Sequence, residues 1–88
     1  MPELCEFFGI AIYMYCERGG KHNKPHIHAE YQDYEIAISL DGEILDGSIP
    51  NRELKRIRTW MALHKKELYE NWELLFNGNR SYKIAPLI

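Results

Sequence analysis

From His26 to Tyr31, and again from Tyr34 to Leu40, apolar and other residues alternate one for one. Ile27, Ala29 and Tyr31 oppose His26, His28 and Glu30; Tyr34, Ile36, Ile38 and Leu40 oppose Glu35, Ala37 and Ser39. Successive side chains of a strand point to opposite faces, so a period of two predicts two half-buried strands. A two-residue loop at Gln32-Asp33 sets Tyr31 across from Tyr34, Ala29 from Ile36 and Ile27 from Ile38. Each apolar residue then meets an apolar partner, and a slip of one residue would turn the whole apolar set to the wrong face. On the other face the same register places His28 opposite Ala37, His26 opposite Ser39 and Glu30 opposite Glu35. Upstream, Phe7 to Tyr15 is apolar at both alternating sets, which predicts one strand covered on both faces. Downstream, Asp41-Gly42 is a strong hairpin dipeptide, and Glu43 to Leu45 can return as a short strand before Gly47.

The period then changes. Leu54, Ile57, Met61, His64, Leu68, Trp72 and Leu75 follow at steps of three and four, the spacing of one helical face. Pro50 suits a first helical turn, Ser48 or Asn51 can cap it, and Gly78 is a natural stop after one long helix or two nearly collinear ones reaching Phe76. Glu17 to Pro25 collects glycines, a proline and polar residues, which is loop chemistry. The tail from Asn79 is apolar at Tyr82, Ile84, Leu87 and Ile88, so part of it is expected to dock. The order predicts an α+β fold, a small antiparallel meander of three to four strands packed on one long or two consecutive C-terminal helices. In this single domain the sheet occupies 5–49, the helical part 50–77 and the docked tail 78–88. The face bearing His26 and His28 borders a strand apolar on both sides, so it is expected to hold a pocket or a subunit contact.

A length of 88 residues allows one core. With 45% hydrophobic and 27% charged residues the chain can bury that core, which excludes disorder. Phe7 to Tyr15 falls short of the ~20 residues of a membrane-spanning helix, and Glu3 and Glu6 stand where a signal peptide is basic, so a cytoplasmic location without membrane contact is expected. Cys5 and Cys16 would lie at opposite ends of one straight strand, beyond disulfide reach, and are expected to be reduced. A net charge of −2 gives no general attraction to phosphate. Its distribution is uneven: Asn51 to Lys66 holds six cations against Glu53 alone, and Glu30 to Asp46 holds six acids and no cation. Arg52, Lys55 and Arg56 on the basic helix are candidates for a nucleic-acid backbone; the bland reading is a solvated face.

The segment His22-Asn23-Lys24-Pro25-His26-Ile27-His28 gathers three of the four histidines. Histidines at i and i+2 of a strand share one side and can supply two ligands of a zinc-type ion, with His22, Glu30 or Glu35 as a third. Such a divalent site lacks a cysteine pair, and the alternative is a hydrogen-bonded pair that binds no metal. Without metal, one neutral and one protonated imidazole can serve as base and acid in cleaving RNA through its own 2′-hydroxyl, with Arg18, Lys21 and Lys24 neutralising phosphate. His64 lies in the apolar helical stripe, where a satisfied core histidine is expected, and Trp60 and Trp72 read as core anchors. Neither cysteine has an adjacent base that would make it a nucleophile.

Phe7-Phe8-Gly9-Ile10, the run Asn23-Lys24-Pro25-His26-Ile27-His28-Ala29-Glu30-Tyr31, Asp41-Gly42, Gly47, Ile49-Pro50, Trp60, Leu63-His64, Glu67-Leu68 and Asn71-Trp72 together resemble the domain of unknown function 4160 family, in order and over nearly the whole chain. Members usually have a second proline where Lys24 stands. The resemblance implies that His26, His28, Trp60, His64 and Trp72 are signature positions. It carries over no activity, but members are often encoded beside another small protein, an arrangement that resembles a toxin–antitoxin or other regulatory pair. The first functional expectation is therefore an interaction module that forms a homodimer or binds a small partner protein through the half-apolar sheet face and exposed edge strands. The rival is a histidine-dependent RNase or metal-assisted phosphodiesterase centred on His26 and His28. A third is nucleic-acid binding by the basic helix.

Overall fold

A computed structural model gives the fold and describes residues 3–16 and 24–88. Five strands, β1 (Glu3–Phe7), β2 (Ile10–Tyr13), β3 (His26–Tyr31), β4 (Tyr34–Ser39) and β5 (Ile44–Ser48), are followed by α1 (Asn51–Leu63) and α2 (Lys65–Phe76). The strands pair antiparallel in chain order, a five-stranded meander. The α+β class stands, but three to four strands was one too few at the least. The apolar run from Phe7 is not one strand: the chain reverses at Phe8-Gly9, where φ is +50 and +77. Two positive φ values make a turn whose twist matches that of the flanking strands. Phenylalanine is no turn former, so the apolar pattern ran through the reversal unmarked except by Gly9. Nor is β2 covered on both faces, since Ile10 and Ile12 are buried while Ala11 and Tyr13 are half-exposed. Cys5 and Cys16 are both free thiols, but in a chain that folds back between them rather than along one straight strand.

The central hairpin has the expected register throughout, from Tyr31 opposite Tyr34 to His26 opposite Ser39. At β5 the ladder shifts: Ala37 pairs Asp46 and Ile38 pairs Ile44, leaving Leu45 as the extra residue of a bulge. Gly47, at φ +76, follows directly, and a Cβ there would collide with the Glu35 carbonyl oxygen. Only glycine permits that approach.

One sheet face, with Ile10, Ile12, Met14, Ile27 and Ile38, packs on Ile57, Trp60 and Leu68 of the helices. Pro50 precedes the first helical residue and no side chain caps the helix, so neither Ser48, which ends β5, nor Asn51, which opens α1, serves as expected. The two helices part at His64, whose φ of −118 and ψ of 24 leave the helical region. At the far end Gly78 (φ +79) donates to the Leu75 carbonyl and Asn79 to that of Leu74, the paired bonds of a glycine stop. The tail docks as expected: the Ile84 amide donates to the Leu4 carbonyl at 3.0 Å and Trp60 Nε1 to that of Ala85 at 2.8 Å. The tail thus lies along β1, whereas among the described residues β5 has a neighbouring strand on one side only. Among the described residues no helix is long and apolar enough to cross a membrane.

Candidate functional site

The burial of Ile27 against the helices turns its neighbours His26 and His28 to the opposite face of β3. Strand pairing aligns rows on that face: Tyr13, His28, Ala37 and Asp46 form one, and Ala11, Glu30, Glu35 and Ser48 the next. The two imidazoles touch, with ring centroids 4.9 Å apart and planes inclined at 68°. Tyr15 stacks on His28 at 4.5 Å, nearly parallel, and Trp72 of α2 leans on His26 at 5.3 Å. The result is a continuous line of rings, Tyr15, His28, His26, Trp72, running from the end of β2 to the second helix. His26 is only 5% exposed, and its Nδ1 donates to the Lys24 carbonyl at 2.6 Å. The histidines share a face as the alternation required, yet His26 is not on an uncovered surface, because Trp72 packs on the core and also closes over it.

Beside this line, where Ala37 presents only a methyl group, lies a hollow of about 290 Å³ lined by His28, Glu35, Ala37, Asp46 and Gly47. Glu30 faces Glu35 across the strands as the register demanded. Two carboxylates and an imidazole around the hollow suit a cationic group. They do not amount to a metal centre: among the described residues no three His, Cys, Asp or Glu side chains converge to hold an ion. Lys21 and His22, proposed for phosphate and metal, lie outside the described residues, as does Arg18.

The remaining candidates are not gathered at the histidines. Lys24 reaches the β4–β5 turn, 3.0 Å from Asp41 and 3.4 Å from Glu43, which raise its pKa. The Ser39 hydroxyl, helped by Lys24, holds the Asp41 carboxyl down to about 2. Lys24 is therefore an ion-pair partner within the fold. On α1, packed against the other sheet face, Arg52 (3.0 Å) and Arg56 (3.7 Å) both pair with the buried Glu53 carboxylate. Arg56 also covers the Phe8 ring at 4.1 Å, and Arg58 donates to the Gly42 carbonyl at 3.1 Å. Of the six cations in the run, Arg52, Arg56 and Arg58 are engaged within the fold while Lys55, Lys65 and Lys66 stand exposed, so half of the basic run stabilises the fold instead of forming a phosphate track. His64 is the satisfied core histidine expected, with Nδ1 donating to Glu67 at 2.7 Å and its ring 5.6 Å from Trp60. Burial pushes the Cys5 thiol up to about 12, which removes it as a nucleophile.

Tyr15 and Asp46 were not singled out as site residues from the pattern. Asp46 was within reach of it: carrying the fourth strand past Gly47 puts Asp46 in the His28 row, but the glycine read as a strand end. Tyr15 was hidden by the unrecognised reversal at Phe8-Gly9.

A five-stranded antiparallel meander backed by two C-terminal helices, with a histidine pair held between a tyrosine and a tryptophan, defines a compact class of α+β domain. The family model for the Domain of unknown function (DUF4160) matches residues 9–73, most of the chain, and the protein belongs to that family. The matched span holds both site histidines and Trp60, His64 and Trp72, and omits β1 and the tail. No curated protein and no solved structure matches the chain.

Proposed function

We propose that this protein is a partner-binding module, one half of a two-protein regulatory pair of the toxin–antitoxin kind, and that it receives an extended, basic segment of its partner along β5. The observation that carries the reading is the free edge of the sheet. Its β1 side is overlaid by the tail, whereas among the described residues β5 has a strand on one side only and exposes Ile44, Gly47 and Ser48. An exposed edge offers unpaired backbone donors and acceptors, and pockets beside it select side chains of the added strand. The hollow between His28, Glu35 and Asp46 is such a pocket, and its acids favour Lys or Arg. The test is to co-express the chain with the product of a small gene adjacent to its own, the arrangement the family resemblance implies, and to follow amide exchange of the chain alone and of the co-purified complex. Binding should slow exchange at residues 44–48, and Ile44→Lys should weaken the complex by about tenfold, the loss of one well-packed edge contact. A complex that forms with those amides unprotected, or that is indifferent to Ile44→Lys, overturns the proposal.

The alternative, cleavage of RNA or another phosphodiester, draws on the contact between His26 and His28. Against it, an acid and a base must flank the scissile phosphate with space between them, while these rings touch and one is buried. RNA cleavage by the wild type that is abolished in His26→Ala/His28→Ala, with or without chelator, would reinstate it.

A further inference from the structure

We propose that α2 is a self-association face, on which a second copy of this chain packs its own α2 antiparallel about a two-fold axis. Lys66, Tyr69, Glu73 and Phe76 follow at steps of three, four and three, one stripe of the helix, and all are exposed. Tyr69 is 39% and Phe76 49% exposed, and Leu63, just before the helix, is 67% exposed. Beside the stripe runs a hollow of about 750 Å³ between α2 and the tail, lined by Tyr69, Glu73, Asn77 and Tyr82 among others. A ridge with a groove along it is the relief that a second helix interdigitates with.

Charge identifies the occupant. Lys66 stands toward one end of the stripe and Glu73 toward the other, with Tyr69 and Glu70 midway. An axis passing between Tyr69 and Glu70 sets Lys66 of each copy against Glu73 of the other, twice, with the two Tyr69 rings at the centre; a parallel arrangement would stack like on like. Neither Lys66 nor Glu73 has a charged side-chain partner among the described residues, whereas Glu70 already accepts a hydrogen bond from the Tyr82 hydroxyl at 2.6 Å. Under a two-fold axis a surface must complement itself. The stripe does, while the acid-rich face beside β5 would repel its copy, so self-association and partner binding fall on different surfaces. Twelve residues of helix are about 18 Å long, which buries an area at the low end for specific interfaces, so the dimer is weak and concentration-dependent.

Sedimentation equilibrium over a wide protein concentration range tests this. The wild type should shift from monomer to dimer as concentration rises. Lys66→Glu and Glu73→Lys should each weaken the dimer by about tenfold, because each sets like charges together at both symmetric contacts. The double variant should restore it by exchanging the signs. Both residue changes lie on an exposed face, and unchanged circular dichroism and thermal melting will verify the fold. A wild type that stays monomeric to millimolar concentration, a dimer unaffected by either single change, or a double variant no better than the singles overturns the proposal. Ile44→Lys, which probes β5, should leave this dimer intact, so failure of the partner reading and failure of this one are read separately.

Discussion

At the scale of single residues, the site depends on what each polar group is given as a partner. His26 is tolerated under Trp72 because Nδ1 donates to a backbone carbonyl, and Glu53 is tolerated in the helical layer because two guanidiniums face it. Asp41 yields a prediction. Its pKa lies below the ordinary 3.8, at about 2, because Ser39 and Lys24 favour the ionised form in the folded state. A depressed carboxylate contributes stability that is whole above the pKa of the unfolded chain and is lost as pH falls toward the folded one. Asp41→Asn should therefore be less stable than the wild type at neutral pH, with the gap closing between about pH 4 and pH 2. Urea midpoints measured across that range check it; a gap that stays constant means that Asp41 acts through its shape and not its charge. The residue's exposure to solvent keeps the effect modest.

At the scale of elements, β5 is shaped by one glycine. Gly42 and Gly47 both have positive φ, at +101 and +76, but a Cβ on Gly42 would enter open space and one on Gly47 would strike the backbone of Glu35. Gly42→Ala should cost about 1–2 kcal/mol, the strain of a non-glycine residue in that region. Gly47→Ala should cost at least ~1 kcal/mol more and displace β5, since backbone cannot yield as a flexible side chain does. Equal denaturation midpoints for the two would show that the bulge relaxes freely, and with it the hollow beside His28. Elements were also where reading by pattern succeeded and failed most plainly. The β3–β4 register was legible because three apolar pairs had to coincide. The β1–β2 hairpin was not, because its turn is built from an aromatic residue and a glycine inside an unbroken apolar run. Two consecutive helices were one of the alternatives the stripe allowed, but the place of the break was unmarked for a related reason: a single residue, His64, leaves the helical region with neither proline nor glycine to mark it.

At the scale of the whole molecule, the tail closes the fold. Trp60 is fully buried against Phe7 and donates its indole N–H to Ala85, so one side chain joins the helices, the first hairpin and the tail. Trp60→Phe keeps most of the packing and removes that bond; it should cost about 1 kcal/mol and speed proteolysis or amide exchange within 79–88. Trp60→Ala should cost about 3–5 kcal/mol, much of the stability of a chain this size. If Trp60→Phe leaves the tail as protected as in the wild type, the Ile84 bond to Leu4 is the dominant clasp.

What the sequence by itself determined is what local periodicity can encode: an α+β class, the pairing of β3 with β4, the helical stripe that covers the sheet, and two histidines sharing one face of a strand. Side-chain direction is set by the backbone period, so these follow from adjacent residues. What only the tertiary structure decided is which groups from distant elements arrive at that face. Tyr15, Trp72 and Asp46 approach the histidines, and Lys24, Arg52 and Arg56 are drawn elsewhere by carboxylates. Those outcomes depend on how packed elements bring opposite charges and rings together, and nothing in the spacing of residues along a chain states that distance.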